Sequence, residues 1–329
     1  MTPDPYPRII DTHDVVEKNH FPLFIQFVFL MLILGGIFGV MFITNDEEKL
    51  AGQQLPPAPQ VSAVVVDSVP QKLANVRLTA TSAYVWDVKG QRALFSKNSD
   101  TELPLASITK LMTALLAYEL IEQDSTATIS INAIRQEGSS GLTAGEQLNI
   151  ENLTELSLIS SSNDAAYELA ASIGNTLGDR DGVSQFVTGM NIRADELGLT
   201  SLEFKNMTGL DVSATQAGGV GNAKDVSFLM EYILVHYPTI LTPTQKVSTR
   251  VYNTSGQFHD AENTNEIVGK IPNLLGSKTG FTDLAGGNLT IAFDLGLNRP
   301  IIVTVLGSTR EERFNDVLTL VAAVQNSVE

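Results

Sequence analysis

The pattern of apolar and polar positions sets one long apolar run apart from the rest of the chain. Residues 21–44, from Phe21 to Thr44, contain no charged side chain. At about 1.5 Å per residue, a helix of that length exceeds the roughly 30 Å hydrocarbon core of a bilayer. The pattern therefore predicts one N-terminal transmembrane helix.

A cleaved signal peptide is the alternative for this run. The run is longer than the usual apolar region of a signal peptide, and no A-x-A-like cleavage site follows it. Arg8 and Lys18 precede the run and only Lys49 follows it closely, so the positive-inside rule favours a cytoplasmic N-terminus. We expect a cytoplasmic tail at residues 1–20, an uncleaved anchor at residues 21–44, and the rest of the chain outside the membrane.

Residues 45–74 lack a sustained apolar period. They contain Pro56, Pro57, Pro59 and Pro70, a composition typical of an extended linker. We therefore expect residues 75–329 to form the folded domain.

The folded domain begins and ends with strand patterns. SAYVWD and RALFSK, joined by a turn with Gly90, predict a β-hairpin. Helical patterns follow at residues 107–123, 150–160, 165–173 and 183–197. NLTIAFDLG and RPIIVTVLGS then predict strands, and residues 311–325 predict a closing helix. This order indicates a mixed α+β fold, with one sheet whose first and last strands are neighbours and with an inserted helical subdomain.

Composition excludes several classes of function. The chain has no cysteine, which removes disulfides, thiol nucleophiles and cysteine-ligated zinc. Its four histidines are scattered without the spacing of a metal site, so we predict neither a metal nor a cofactor. A formal net charge of -16 argues against a nucleic-acid partner.

The first candidate for chemistry is the pair Ser107 and Lys110 in PLASITKLMTALLAYEL. Residues three apart on a helix face the same way, and the free N–H groups at a helix start favour an oxyanion. To act as a base, Lys110 needs a pKa near 7 rather than about 10.4, which costs roughly 4.6 kcal/mol and requires burial or a second cation. The alternative is a serine helix cap followed by a lysine that favours helix, and the tetrad alone favours it.

A second candidate is the polar break SSSND between two helical patterns. It places the short side chains of Ser161 and Asn163 where they can face a cleft. The alternative is an ordinary N-cap of the second helix, formed by Asn163 or Asp164.

A third candidate is Lys278, Thr279 and Gly280, just before a strand pattern. A lysine beside a hydroxyl and a flexible backbone suits a carboxylate. The alternative is a plain turn that leads into the strand.

Together, SxxK, SxN and KTG in this order are the signature of penicillin-binding proteins and class A β-lactamases. Over roughly residues 82–326 the chain resembles the serine-type D-alanyl-D-alanine carboxypeptidases, the low-molecular-mass penicillin-binding proteins of peptidase family S11. The strings that carry the resemblance also include GLTAGEQLNIENLTELSLISSSNDAA, ELGLTSLEFKNMTGLD, ENTNEIVGKIPNLLGSKTGFTDLAGGNL and GSTREER. It implies a β-lactamase/transpeptidase-like fold, an antiparallel sheet flanked by helices with an inserted helical subdomain.

The resemblance also implies catalytic roles. Ser107 would be the acylated nucleophile and Lys110 its proton acceptor. Ser161 would pass a proton to the leaving amine, and Asn163 would hold Lys110 and the substrate amide. The backbone N–H groups of Ser107 and Phe281 would form the oxyanion hole.

The remaining implied residues bind substrate. Lys278 would be the second cation that Lys110 requires. Thr279 would bind the terminal carboxylate beside Gly280, Phe281 and Arg310. The implied reaction removes the terminal D-alanine of peptidoglycan stem peptides through an ester of the nucleophilic serine, which β-lactams would also acylate. Because that substrate lies outside the cytoplasmic membrane, the resemblance supports the outward orientation of the domain.

Two cleft residues depart from the usual family pattern. Ser162 stands where the family often has glycine, and Phe281 stands where a histidine or a small polar residue is common. We expect both to affect catalytic rate and leaving-group preference.

Three other functions remain open on the same residues. A class A β-lactamase needs a deacylating glutamate in ExxLN, and the nearest string is ELGLT at residues 196–200, which lacks the asparagine. The motifs do not separate a carboxypeptidase from an endopeptidase or a transpeptidase. A non-catalytic cell-wall-binding protein would have lost Ser107, Lys110 or Lys278, and all three are present.

Overall fold

The computed structural model describes Leu73 and residues 76–138, 141–178 and 181–328. They belong to the compact unit Asp67–Glu329. The predicted tail at residues 1–20, the predicted membrane span at residues 21–44, and the predicted linker apart from Leu73 lie outside the described residues. Across the described ranges, no helix combines the length and apolar character that crossing a membrane requires.

The described residues form twelve strands and six α-helices. The strands are β1 (Ser82–Asp87), β2 (Arg92–Lys97), β3 (Leu103–Pro104), β4 (Thr126–Thr128), β5 (Gln147–Asn149), β6 (Glu203–Phe204), β7 (Gly219–Gly221), β8 (Ser248–Tyr252), β9 (Phe258–Glu262), β10 (Leu274–Thr282), β11 (Gly286–Asp294) and β12 (Pro300–Ser308). The helices are α1 (Lys110–Leu120), α2 (Ile150–Ile159), α3 (Asn163–Gly174), α4 (Gly182–Glu196), α5 (Ala223–His236) and α6 (Glu312–Val328).

The main sheet has five strands in the order β10-β11-β12-β1-β2, and every neighbouring pair is antiparallel. β1 pairs with β12, with Ser82 opposite Leu306. The predicted pairing of the first strand with the last is therefore confirmed. β10, which contains the KTG motif, lies at one edge of this sheet.

Helices cover both faces of the sheet. Along β12, Ile302 and Leu306 belong to a core shared with α5 and the other helices of the inserted region, whereas Ile301 and Val303 belong to a core shared with α6. Because side chains on a strand alternate between faces, these two cores lie on opposite sides of the sheet. The antiparallel sheet flanked by helices, implied by the resemblance, is confirmed.

The inserted region between β2 and β10 holds α1 to α5 and the small strand pairs. Helix α1 packs against α2, α3, α4 and α5 around buried apolar side chains such as Leu111, Leu115 and Met190. Most predicted helix bounds shift by one to three residues: α1 begins at Lys110 rather than at residue 107 and ends at Leu120 rather than at residue 123, and α3 begins at Asn163 rather than at residue 165. The other differences are of one residue, except at the end of α6, which is Val328 rather than residue 325.

The sequence patterns did not predict helix α5, the hairpin β8–β9 or the short strands β3 to β7 of the inserted region. Helix α5 covers one face of the sheet through Val226, Leu229, Met230 and Ile233. The hairpin β8–β9 leads directly into the segment that precedes β10. The order of elements brings the start of α1, the start of α3 and the edge strand β10 to one place.

Candidate active site

Ser107 lies in a short 3-10 turn, Ala106–Thr109, that connects β3 to α1. The residue before it, Ala106, has a φ of 49°, in the left-handed region that non-glycine residues rarely adopt. The prediction that Ser107 caps the helix is wrong, since the N-cap positions of the turn and of α1 are Leu105 and Thr109, neither with a side-chain cap bond. The Ser107 hydroxyl instead faces Lys110.

Lys110 is 0% exposed and makes three hydrogen bonds without a carboxylate. Its Nζ lies 2.9 Å from Ser107 Oγ, 2.7 Å from Asn163 Oδ1 and 2.8 Å from the carbonyl oxygen of Thr208. Asn163 Nδ2 donates to the carbonyl of Glu137 at 2.6 Å, so its amide oxygen is the atom that faces the lysine. Burial lowers the pKa of Lys110 to about 7.

The three partners of Lys110 can accept from an ammonium, and they also suit the neutral amine that its lowered pKa favours. Asn163 Oδ1 and the Thr208 carbonyl can only accept, and they use the two N–H groups of an uncharged amine. The nitrogen lone pair is then left to accept the Ser107 hydroxyl proton. The site therefore holds a serine and a base within hydrogen-bond distance, with the base oriented by a third group.

Lys278 forms a second buried lysine site, with 1% exposure. Its Nζ donates to Ser161 Oγ and to the carbonyl of Thr279, both at 2.9 Å. Burial, followed by the positive charges of Lys110 and Arg313, lowers the pKa of Lys278. For Lys110 burial alone accounts for the lowered pKa, so the expected role of Lys278 as the required second cation is not supported.

Ser162, between Ser161 and Asn163, is the true cap of α3. Its Oγ accepts a hydrogen bond from the N–H of Ala165 at 3.0 Å, and its side chain is buried. The predicted caps Asn163 and Asp164 are therefore wrong, because the Asn163 amide is engaged by Lys110 and Glu137. The Ser162 hydroxyl is tied to the helix, so the expectation that it acts in the cleft is not supported.

The KTG residues lie within β10 rather than in a turn before a strand, which corrects that alternative. A Cβ added to Gly280 would lie 2.7 Å from the carbonyl oxygen of Leu105 and 3.2 Å from the Cβ of Ala106. Only glycine lets the edge strand approach the Ser107 turn this closely. Gly280 thus brings the backbone of Phe281 next to the nucleophile turn.

A cavity of about 440 Å³ opens over these groups. Its walls include Ser107, Ser161, Thr279, Gly280, Phe281, Arg310 and Arg313. The Thr279 hydroxyl lies 2.6 Å from the hydroxyl of Thr264, which also lines the cavity. All the predicted site residues except Lys110, Asn163 and Lys278 therefore line this cavity. Lys110 and Lys278 are bonded to the lining residues Ser107 and Ser161, and Asn163 is bonded to Lys110.

Two arginines face the carboxylate end of the cavity, and sequence reasoning named only one. Arg310 is exposed, with its guanidinium 5.0 Å from the centre of the Phe281 ring. Arg313 is 5% exposed and donates from Nη1 to the carbonyl of Gly280 at 2.7 Å. Its Nε has no hydrogen-bond partner, and burial lowers its pKa to about 10. The sequence signal for Arg313 was the apolar Val317 four residues later, which places Arg313 on the buried face of α6.

Other features bear on the rival functions. Glu196, the glutamate of ELGLT, is at the end of α4 and pairs with Arg193 at 2.9 Å rather than lining the cavity.

Among the described residues, no group of three or more histidine, aspartate or glutamate side chains is placed to hold a metal ion.

Comparisons with known proteins identify the family. A family model for D-alanyl-D-alanine carboxypeptidases, peptidase S11, matches residues 68–310. The D-alanyl-D-alanine carboxypeptidase DacF of Bacillus subtilis is 33% identical over 242 residues, which cover 71% of this chain and 59% of that protein. The chain thus spans less than two thirds of the Bacillus protein.

Two further matches cover more of the related protein. The D-alanyl-D-alanine endopeptidase of Pseudomonas aeruginosa is 30% identical, with 75% of this chain and 78% of that protein covered. The crystal structure of penicillin-binding protein D2 from Listeria monocytogenes in its ampicillin-bound form is 30% identical, with a TM-score of 0.63 and coverage of 78% of this chain and 99% of that chain. The chain therefore belongs to the D-alanyl-D-alanine carboxypeptidase family of serine peptidases, S11.

Proposed function

We propose that this chain removes the terminal D-alanine of peptidoglycan stem peptides by way of a Ser107 acyl-enzyme. The observation that carries the proposal is the bond from the buried, desolvated Lys110 amine to the Ser107 hydroxyl. Family membership supplies the reaction class.

Acylation begins when Lys110 takes the hydroxyl proton of Ser107. The freed Oγ forms a bond to the carbonyl carbon between the two terminal D-alanines, and the carbonyl oxygen becomes an oxyanion. The N–H groups of Ser107 and Phe281 stabilise that oxyanion, which Gly280 allows by bringing the two backbones together.

Collapse of the tetrahedral intermediate needs a proton on the leaving amine. Ser161 lies on the cavity wall and is hydrogen-bonded to Lys278, so its hydroxyl can deliver that proton and take one back from Lys278. The proton that Lys110 took from Ser107 then replaces the one lost by Lys278, which leaves Lys110 neutral again. The C–N bond breaks and D-alanine leaves. Lys110 next accepts a proton from the attacking water, and it returns that proton to Ser107 Oγ when the ester bond breaks.

The terminal carboxylate of the substrate sits at the Thr279 end of the cavity. Thr279 supplies a hydroxyl, and Arg313 and Arg310 supply positive charge. Arg313 is the stronger contributor because it is buried, and a charge acts more strongly where water is excluded.

A D,D-endopeptidase is the second candidate function. It would use the same nucleophile on a cross-link, with a leaving group larger than alanine. The cavity of about 440 Å³ is also lined by the exposed Glu262 and Glu266, on the side of Thr264 and Thr279, where a larger leaving group would extend. The relative in Pseudomonas aeruginosa carries the endopeptidase name.

We further propose that residues 21–44 anchor the chain in the cytoplasmic membrane, with the catalytic domain outside. The uncharged apolar run and the location of peptidoglycan support this placement. Proteolysis of intact spheroplasts tests it, because an outward domain is digested without lysis and an inward domain is protected.

The acyl-enzyme is tested with the full chain in detergent and a fluorescent penicillin. Mass spectrometry of the labelled peptide is expected to place the adduct on Ser107. Ser107→Ala should lose the label, whereas Ser162→Ala, a serine in the same cleft region that caps α3, should keep it. A folded wild-type chain without a Ser107 adduct would disprove the proposal.

Product analysis separates the two candidate reactions. A pentapeptide stem is expected to release D-alanine, and a cross-linked dimer of stems is the endopeptidase substrate. If the chain cleaves the cross-linked dimer and releases no D-alanine from the pentapeptide, it is an endopeptidase and not a carboxypeptidase.

A further inference from the structure

Asn288 is a buried amide outside the three motifs. It lies on β11 directly opposite Gly280 of β10 and is 0% exposed. Its Nδ2 donates to two consecutive carbonyl oxygens, that of Pro104 at 2.9 Å and that of Leu105 at 3.0 Å. Its Oδ1 accepts the N–H of Gly307 at 2.8 Å, so the orientation of the amide is fixed from both ends.

The two carbonyls that Asn288 binds belong to Pro104 and Leu105, the two residues that lead into the turn that carries the nucleophile. Ala106, which directly follows Leu105, has a φ of 49°, and a non-glycine residue keeps such a backbone only where its surroundings hold it. The donated bonds of Asn288 fix the peptide units just before this residue. The direction of the Ser107 N–H depends on that backbone.

The same Leu105 carbonyl is packed against the edge strand. A Cβ on Gly280 would lie 2.7 Å from it, so the strand and the turn touch at the atom that Asn288 binds. Phe281, the next residue of the strand, carries the other N–H of the proposed oxyanion hole. Asn288 therefore binds the backbone before the turn of the first donor through its side chain, and its own backbone pairs with the strand that carries the second.

We propose that Asn288 is a positioning residue of the oxyanion hole, which fixes the spacing between the Ser107 and Phe281 N–H groups. The inference rests on the proposed acyl-transfer function. Preorganised donors stabilise an oxyanion only where their positions are held before the reaction, and a displacement of about 1 Å costs about 100-fold in rate.

The test uses two substitutions in the full chain in detergent. Asn288→Asp keeps the size of the side chain and an acceptor for Gly307, but it removes both donated bonds. Asn288→Ala removes the side chain. Stopped-flow acylation by a chromogenic cephalosporin gives the dissociation constant of the first complex and the acylation rate constant separately. We expect the rate constant to fall about 100-fold in both variants, with the dissociation constant changed by less than about threefold.

A tetrahedral boronic acid inhibitor gives a readout that a purely structural role would not change. Its affinity should fall with the acylation rate constant, because it places an oxygen in the oxyanion hole. The affinity for an unreactive carboxylate ligand should stay at the wild-type value.

Thr290→Val is the matched control. Thr290 is two residues along the same strand, is equally buried, and bonds to the Thr304 hydroxyl at 2.8 Å, away from the nucleophile turn. This variant should lose thermal stability and keep the wild-type rate constant of its folded fraction.

Several outcomes would overturn the positioning role. One is a wild-type acylation rate constant in folded Asn288 variants. Another is a loss of acylation that is fully explained by a smaller folded fraction, as expected for Thr290→Val. Failure of every Asn288 variant to fold would make Asn288 a folding residue instead. A wild-type chain that does not acylate at all would mark the failure of the proposed function itself.

Discussion

The amide oxygen of Asn163 lies 2.7 Å from the Nζ of Lys110. It offers the lysine a neutral acceptor where a carboxylate would offer a negative charge. A carboxylate at this distance would favour the ammonium form, whereas the amide leaves burial to lower the pKa of Lys110 to about 7. Because Asn163 carries no charge, it does not stabilise the ammonium form, and Lys110 can be a neutral amine near pH 7.

The first prediction concerns the pH dependence of acylation. Since Lys110 accepts a proton only when it is neutral, the acylation rate should rise with pH, reach half of its maximum near pH 7 and level off above pH 8. Asn163→Asp should move this midpoint upward by about 1 to 3 pH units, because a carboxylate stabilises the ammonium form. Stopped-flow rates from pH 5.5 to 10 check both; a midpoint that is unchanged in Asn163→Asp would rule out this account.

The second prediction concerns stability. In the unfolded chain Lys110 returns to its ordinary pKa of 10.5, so between pH 7 and 10.5 the unfolded state binds a proton that the folded state does not. The free energy of unfolding should therefore increase with pH in this window, by up to about 1.4 kcal/mol per pH unit for each buried lysine. The cost of holding a protonated Lys110 in the folded chain is fully present below pH 7, and it falls as pH rises from 7 to 10.5.

Urea unfolding between pH 7 and 9 measures this slope. Lys110→Met should lower it, leaving the contribution of Lys278, whose pKa is also lowered. An equal slope in the variant and the wild type would show that Lys110 is protonated in the folded chain.

The third prediction concerns the two arginines of the cavity. Arg313→Gln should reduce kcat/KM for a substrate with a free terminal carboxylate by roughly 10- to 100-fold, the effect of losing a buried charge-assisted hydrogen bond. Arg310→Gln is the control, since an exposed charge contributes little, roughly threefold or less. Steady-state kinetics on the pentapeptide compares them, and equal losses would contradict the distinction between the buried and the exposed arginine.

The fourth prediction concerns Ser162. Ser162→Ala removes the cap of α3 and should lower the free energy of unfolding by about 1 kcal/mol, while Ser162→Gly should cost only a few tenths. Acylation by penicillin should stay close to the wild-type rate in both. Urea unfolding and fluorescent labelling test this, and a large loss of acylation without loss of stability would place the Ser162 hydroxyl in the reaction.

Sequence patterns predicted the elements with the clearest periods. The terminal strands, the helix at α6 and the joining of β1 to β12 followed from apolar alternation and chain order. The three motifs identified Ser107, Lys110, Ser161, Asn163 and Lys278, which the fold brings together.

Tertiary contacts decided what the sequence patterns left open. Ser162 is the N-cap of α3, because the side-chain amide of Asn163 is hydrogen-bonded to Lys110 of α1. The KTG residues form part of strand β10 because each of them pairs with a residue of β11. The sequence alone does not distinguish Arg313 from an exposed helix arginine, because its burial depends on the contact with Gly280 of β10.

The pairing of β1 with β12 also controls when the site exists. The Ser107 turn is made early in synthesis, but β10, which carries Lys278, enters the sheet through β11 and β12, which are made last. Contacts so distant along the chain form slowly and together. A partly synthesised chain therefore has the serine but neither the lysine pair nor the edge strand beside it, and the hydrolase is inactive until its sheet is complete.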